Sequence, residues 1–149
     1  MAYTIQALIA DETTLRGADL LGARLVSLPQ QKAMLPLTTE VSEQLGIPFL
    51  PITYEGPGVP DSLNKLGCLA SRDGLVAYVE AEFFGGLGGQ ASVLWDRGSI
   101  AKGPIVAKDA INQALRILGV NKGGAHDEFD ALGLDKHRDT DDWSGESAV

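Results

Sequence analysis

The chain is expected to fold as one α+β domain, an antiparallel β-meander of roughly five to seven strands in total with two or three short helices packed on one face. Three observations predict this. Residues 75–84, Leu-Val-Ala-Tyr-Val-Glu-Ala-Glu-Phe-Phe, form the longest strand pattern in the chain. Tight-turn sequences bound it and its successors: Arg72-Asp73-Gly74, Gly85-Gly86-Leu87-Gly88-Gly89 and Asp96-Arg97-Gly98. Residues 109–118 then place Ile111, Ala114, Leu115 and Leu118 at i, i+3, i+4 and i+7, the single buried stripe of an amphipathic helix.

The remaining elements follow in chain order. Residues 2–10 alternate as a strand, with Tyr3, Ile5, Ala7 and Ile9 on one side and Thr4 and Gln6 on the other. Asp11-Glu12-Thr13-Thr14 ends it and caps a short helix through Leu15, Ala18 and Leu21, stopped by Gly22. Residues 23–28 and 32–37 read as strands around a turn at Pro29-Gln30-Gln31. Thr38 or Thr39 caps a second short helix that ends at Gly46. Residues 47–61 hold four prolines, so a long loop is expected, with at most an edge strand around Phe49–Tyr54.

The meander is expected to span 67–104. Residues 67–71 form its first strand, Asp73-Gly74 the hairpin into 75–84, the glycine loop the next turn, and 90–95 and 99–102 the last two strands. Gly103-Pro104 closes the sheet and Gly119 stops the helix. Beyond Gly124 a short apolar turn, Phe129, Leu132 and Leu134, docks on the domain, and an acidic tail from about 135 is expected to fray.

Composition narrows the function classes. The chain has 149 residues and a net charge of −8, which fits one domain with a substantial core. Residues 121–149 carry eight acids against three bases, a charge of −5, whereas the first 120 carry twelve against nine, a charge of −3. Such a surface repels phosphate backbones and anionic lipid, so neither a nucleic-acid nor a membrane partner is expected. No apolar run approaches the length of a bilayer span, and the N-terminus lacks a signal-peptide pattern, so a cytoplasmic protein is expected. The single cysteine, Cys68, reads as a small apolar residue.

Few constellations carry chemistry. The glycine loop is followed by a strand, lacks Gly-Lys-Ser/Thr and lacks the third glycine of a dinucleotide fingerprint, so it reads as a turn and not a phosphate cradle. His126, His137 and the surrounding acids match neither an EF-hand nor a zinc helix motif, so no metal or other cofactor is expected. Glu80 and Glu82 project from one side of the 75–84 strand beside Tyr78 and Phe84, a mixture of aromatics and carboxylates suited to contact. Trp143, unusual in a polar tail, either folds back onto the sheet, the preferred arrangement, or anchors a partner.

These features point to a protein-binding module that masks a basic partner, steered by the C-terminal acids. Its contact residues are Tyr78, Glu80, Glu82, Asp139, Asp141, Asp142 and Trp143. No catalytic residue is assigned. Small, acidic, built of a sheet plus helices and without a catalytic constellation, the chain is similar in general type to bacterial immunity or inhibitor proteins that neutralise basic toxins. Two alternatives are a small enzyme or ligand-binding domain using the Glu80/Glu82 face, and a structural subunit whose open sheet face pairs with a second copy.

Overall fold

The computed structural model describes residues 2–18, 20, 22–84 and 87–146. One antiparallel sheet of six strands runs in the order β2-β3-β1-β4-β5-β6. Its strands are β1 (Ala2–Asp11), β2 (Val26–Leu28), β3 (Lys32–Pro36), β4 (Val76–Phe84), β5 (Leu87–Asp96) and β6 (Ser99–Val106). The helices are α1 (Glu12–Gly17), α2 (Thr39–Leu45), α3 (Pro51–Glu55), α4 (Asp61–Ala70), α5 (Ala110–Ile117) and α6 (Glu128–Ala131), with a 3₁₀ turn at Thr140–Gly145. The α+β class and the antiparallel sheet are as the alternation predicts.

The helices cover both faces of the sheet, not one. On the first face Leu8, Leu35, Tyr78 and Trp95 pack with Leu15 of α1, Ile52 of α3, and Leu63 and Leu66 of α4. On the second, Ile5, Ile9, Met34 and Val79 pack with Ile111 and Leu115 of α5 and with Leu132, Leu134 and Trp143. The reason lies in the central strands. Residues Ile5–Ala10 of β1 and Val76–Ala81 of β4 are buried without interruption, so apolar side chains on both pleats require cover.

Two expectations fail between 47 and 74. Residues 67–70 are the end of α4 and Ser71 is its C-cap, so the meander begins at Val76 and Asp73-Gly74 joins a helix to a strand. Leu63, Leu66, Gly67 and Ala70 are the buried stripe of α4, at the same i, i+3, i+4, i+7 spacing as α5. The edge strand at Phe49–Tyr54 is also absent. Two of the four prolines that suggested a loop stand at helix starts, Pro51 in the first turn of α3 and Pro60 at the N-cap of α4. Gly67 is required by packing, because a Cβ there would stand 2.1 Å from the Trp95 ring.

Elsewhere the boundaries shift. Strand β2 starts at Val26, not 23, and β6 continues through Gly103-Pro104 to Val106. Helix α1 ends at Gly17; Leu21, Gly85 and Gly86 lie outside the described residues. Thr38 caps α2 as expected, its side chain accepting from the Val41 N–H, and Gly46 ends it in the left-handed region.

The C-terminal segment completes the sheet. Strand β3 pairs with β1 only over Ala7–Asp11. Along the vacated edge the Thr4 N–H donates to the Arg138 carbonyl at 2.8 Å, and the Gln6 N–H donates to the Thr140 hydroxyl at 3.1 Å. Trp143 folds back as preferred, 2% exposed within the second cluster. From 135 to 146 the tail is held on the domain by these Arg138, Thr140 and Trp143 contacts, and Glu146 ties it to itself by accepting hydrogen bonds from Lys136 (2.6 Å) and His137 (2.8 Å).

Candidate functional site

The most distinctive polar feature of the interior is a pair of side chains on neighbouring strands. Gln6 of β1 stands opposite Glu80 of β4. Both are buried, at 2% and 0% exposure, at positions that would otherwise take apolar residues. Buried polar groups need partners, and both find them in the 48–53 segment. The Gln6 amide donates to the Pro48 carbonyl at 2.9 Å and accepts from the Leu50 N–H at 3.4 Å.

Glu80 caps α3 from the sheet. Its carboxylate accepts the N–H of Ile52 (3.2 Å), the N–H of Thr53 (2.8 Å), the Thr53 hydroxyl (2.5 Å) and the Tyr78 hydroxyl (2.8 Å). Pro51 has no N–H, and the Tyr54 N–H reaches the Leu50 carbonyl at 3.1 Å. Every backbone donor in the first turn of α3 is therefore accounted for. Leu50, just before it, has φ of 42°, a left-handed conformation that costs a leucine roughly 1–2 kcal/mol; the capping bonds offset that strain. Burial first, and then the neighbouring Glu80 carboxylate, push the Tyr78 phenol well above its ordinary range, so Tyr78 remains a donor.

This network holds two aromatic side chains out in solvent. Phe49 and Tyr54 are each 59% exposed and stack with ring centroids 6.1 Å apart at 26°. Tyr54 also donates a hydrogen bond to Glu82, which is half-buried. Two residues further along β4 on the same side, Phe84 is exposed as well.

Phe49 is also the rim of a cleft of about 380 Å³ between α2, the 46–49 segment and residues 139–141. Leu37, Ile47 and Pro48 make its apolar wall, and Gln6 reaches it from below. Glu43, Asp139 and Asp141 supply three carboxylates, and among the described residues no lysine or arginine lines it. Asp141 is oriented by α2, accepting from the Thr39 N–H (2.7 Å) and the Thr39 hydroxyl (2.9 Å).

The residues singled out from sequence divide accordingly. Tyr78, Glu80 and Trp143 are buried and present no surface to a partner. Tyr78 and Glu80 position the aromatic segment instead, and Trp143 packs under His137, ring centroids 4.7 Å apart. The Glu80/Glu82 pair is not an open acid–base couple: Glu80 is taken up by protein donors and Glu82 by Tyr54. Nor is the sheet open over Tyr78 and Glu80, since α3 and α4 cover it. Asp139 and Asp141 do come together at the cleft, while Asp142 is exposed outside it.

Sequence reasoning missed Phe49, Tyr54 and Glu43. Two signals pointed to the first two: aromatics in a proline-rich connection, and polar Gln6 and Glu80 inside apolar strands. Several tail acids serve local structure. Asp127 caps α6, and Glu128 pairs with Arg116 at 3.4 Å. Among the described residues no group of three His, Cys, Asp or Glu side chains is placed to hold a metal ion, and no helix is long and apolar enough to cross a membrane. No protein family, curated protein or solved structure matches the chain.

Proposed function

We propose that this protein is a binding module for a basic protein partner, and that its contact face runs from the 139–141 cleft across Phe49 and Tyr54 to Glu82 and Phe84. One observation carries this: a stacked, exposed aromatic pair is held out by a bonded buried network, beside a cleft lined by three carboxylates. Exposed aromatics anchored on a rigid support are the usual centres of binding energy at interfaces, and the acids around them favour encounter with a cationic surface. The immunity- or inhibitor-like type fits such a surface, because masking a basic partner requires no catalytic group of its own.

The test uses the intact protein as bait in the cells that make it, beside a Phe49→Ala/Tyr54→Ala double variant. A partner retained by the first and lost by the second is then purified and its affinity measured against salt. Affinity is expected to fall steeply as salt rises. A partner bound equally by both baits, or with no salt dependence, would overturn the proposal.

A further inference from the structure

The 139–141 cleft has the size and lining of a receptor for one long cationic side chain. Its volume of about 380 Å³ is ample for one such side chain. The wall of Leu37, Ile47 and Pro48 matches an aliphatic stem. Among the described residues the carboxylates of Glu43 and Asp139 have no hydrogen bond or ion pair, and both side chains belong to exposed residues. Asp141 is fixed by its two bonds to Thr39, so the third carboxylate is already oriented. The Phe49 ring at the mouth, backed by Tyr54, offers a flat π surface.

Charge and shape together select the occupant. An anionic side chain would be repelled by three carboxylates, and a neutral donor would gain hydrogen bonds without the charge pairing. Between the two long cations, the planar guanidinium can fork onto carboxylates and stack on an aromatic ring at once, whereas an ammonium acts as a compact point charge. We infer that the cleft bounded by Glu43, Phe49, Asp139 and Asp141 binds an arginine side chain projected by the partner. The inference rests on the protein-binding function proposed above and names the group that the face recognises. The stem lies along Ile47 and Pro48, the guanidinium reaches the carboxylates and stacks on Phe49, and the neighbouring partner residue meets Tyr54.

The experiment titrates acetyl-Gly-Gly-Arg-Gly-Gly-amide into the isotopically labelled, intact protein and follows its amide signals by NMR. Parallel titrations use the lysine peptide and the citrulline peptide, which keeps the shape of arginine and removes its charge. Arginine is expected to move the signals of Ile47, Phe49, Thr140 and Asp141, lysine to bind more weakly, and citrulline to leave the spectrum unchanged. Glu43→Gln with Asp139→Asn, both at exposed positions, is expected to weaken the arginine peptide about tenfold through loss of charge-assisted bonds.

Several results would overturn the inference: no shifts with arginine, citrulline binding as well as arginine, lysine binding as tightly, or shifts centred on the separate acidic turn at 127–130. Should a basic partner still bind with salt dependence and depend on Phe49 and Tyr54, the arginine assignment alone falls. Loss of that dependence removes the wider proposal instead.

Discussion

Glu80→Gln is the sharpest probe of how this fold supports its surface. The change keeps the shape of the side chain and replaces one carboxylate oxygen with an NH₂. One oxygen of Glu80 accepts the Ile52 N–H and the Tyr78 hydroxyl; the other accepts the Thr53 N–H and the Thr53 hydroxyl. Hydroxyls can reverse and accept, but a backbone N–H cannot. Whichever way the amide turns, one backbone N–H, of buried Ile52 or of Thr53, loses its acceptor and faces another donor. The less costly choice gives up Ile52, whose bond at 3.2 Å is the longest of the four.

An orphaned buried donor costs about 1–3 kcal/mol, and the surviving bonds lose their charge assistance, so the total is about 2–3 kcal/mol. Glu80→Ala removes all four acceptor contacts and leaves a cavity, for about 4 kcal/mol or more. Urea unfolding followed by circular dichroism gives both values. Hydrogen exchange at the Ile52 and Thr53 amides is expected to accelerate beyond the global change, because the cap acts there first. A Glu80→Gln protein within about 0.5 kcal/mol of the parent, with those amides still protected, would refute the capping role.

Four further outcomes are expected. Gly67→Ala drives a methyl into the Trp95 ring and destabilises by about 1–3 kcal/mol despite the better helix propensity of alanine; a raised melting temperature would contradict the packing. Thr38→Ala removes the bond to the Val41 N–H and lowers unfolding stability by about 1 kcal/mol in denaturant titration. Trp143→Ala empties a site in the second core cluster and costs about 3–5 kcal/mol by the same assay, whereas a frayed tail would make it neutral. Hydrogen bonds from Lys136 and then His137 hold the Glu146 carboxyl below the ordinary glutamate range. Its stabilising contribution is therefore full above the unfolded glutamate pKa of about 4.3 and fades as pH falls through the lower folded value. The stability gap between the parent and Glu146→Gln should close in acid, and a gap that widens there would reverse the sign.

Local pattern was enough for the elements whose signal is carried by near neighbours. The strands at 2–11 and 76–84, the cap at Thr38 and the amphipathic stripe of 110–117 follow from alternation, side-chain chemistry and helical spacing, which act within a few residues. The helix at 61–70 carried the same signal, but the hairpin cue of Asp73-Gly74 drew the boundary at Gly67 and cut the stripe in two. The proline-rich segment misled for a related reason: proline interrupts a helix in its interior and is welcome at its first turn, and composition alone does not say which position it holds.

The site depended on contacts far apart in the chain. Alternation correctly placed Tyr78 and Glu80 on one pleat but could not say whether that pleat met solvent or α3, because the covering residues lie some 28 positions away. The acidity of the C-terminal region is a property of the sequence by itself. Only tertiary structure decided that Asp127, Glu128 and Glu146 serve local bonds while Asp139 and Asp141 join Glu43 at a cleft, since that depends on residues 138–140 docking beside β1 where β3 falls short. Sequence determines which groups are available and in what local geometry. Burial, which turned a supposed contact carboxylate into a helix cap and brought Phe49 and Tyr54 to the surface, is set by the whole chain packing at once.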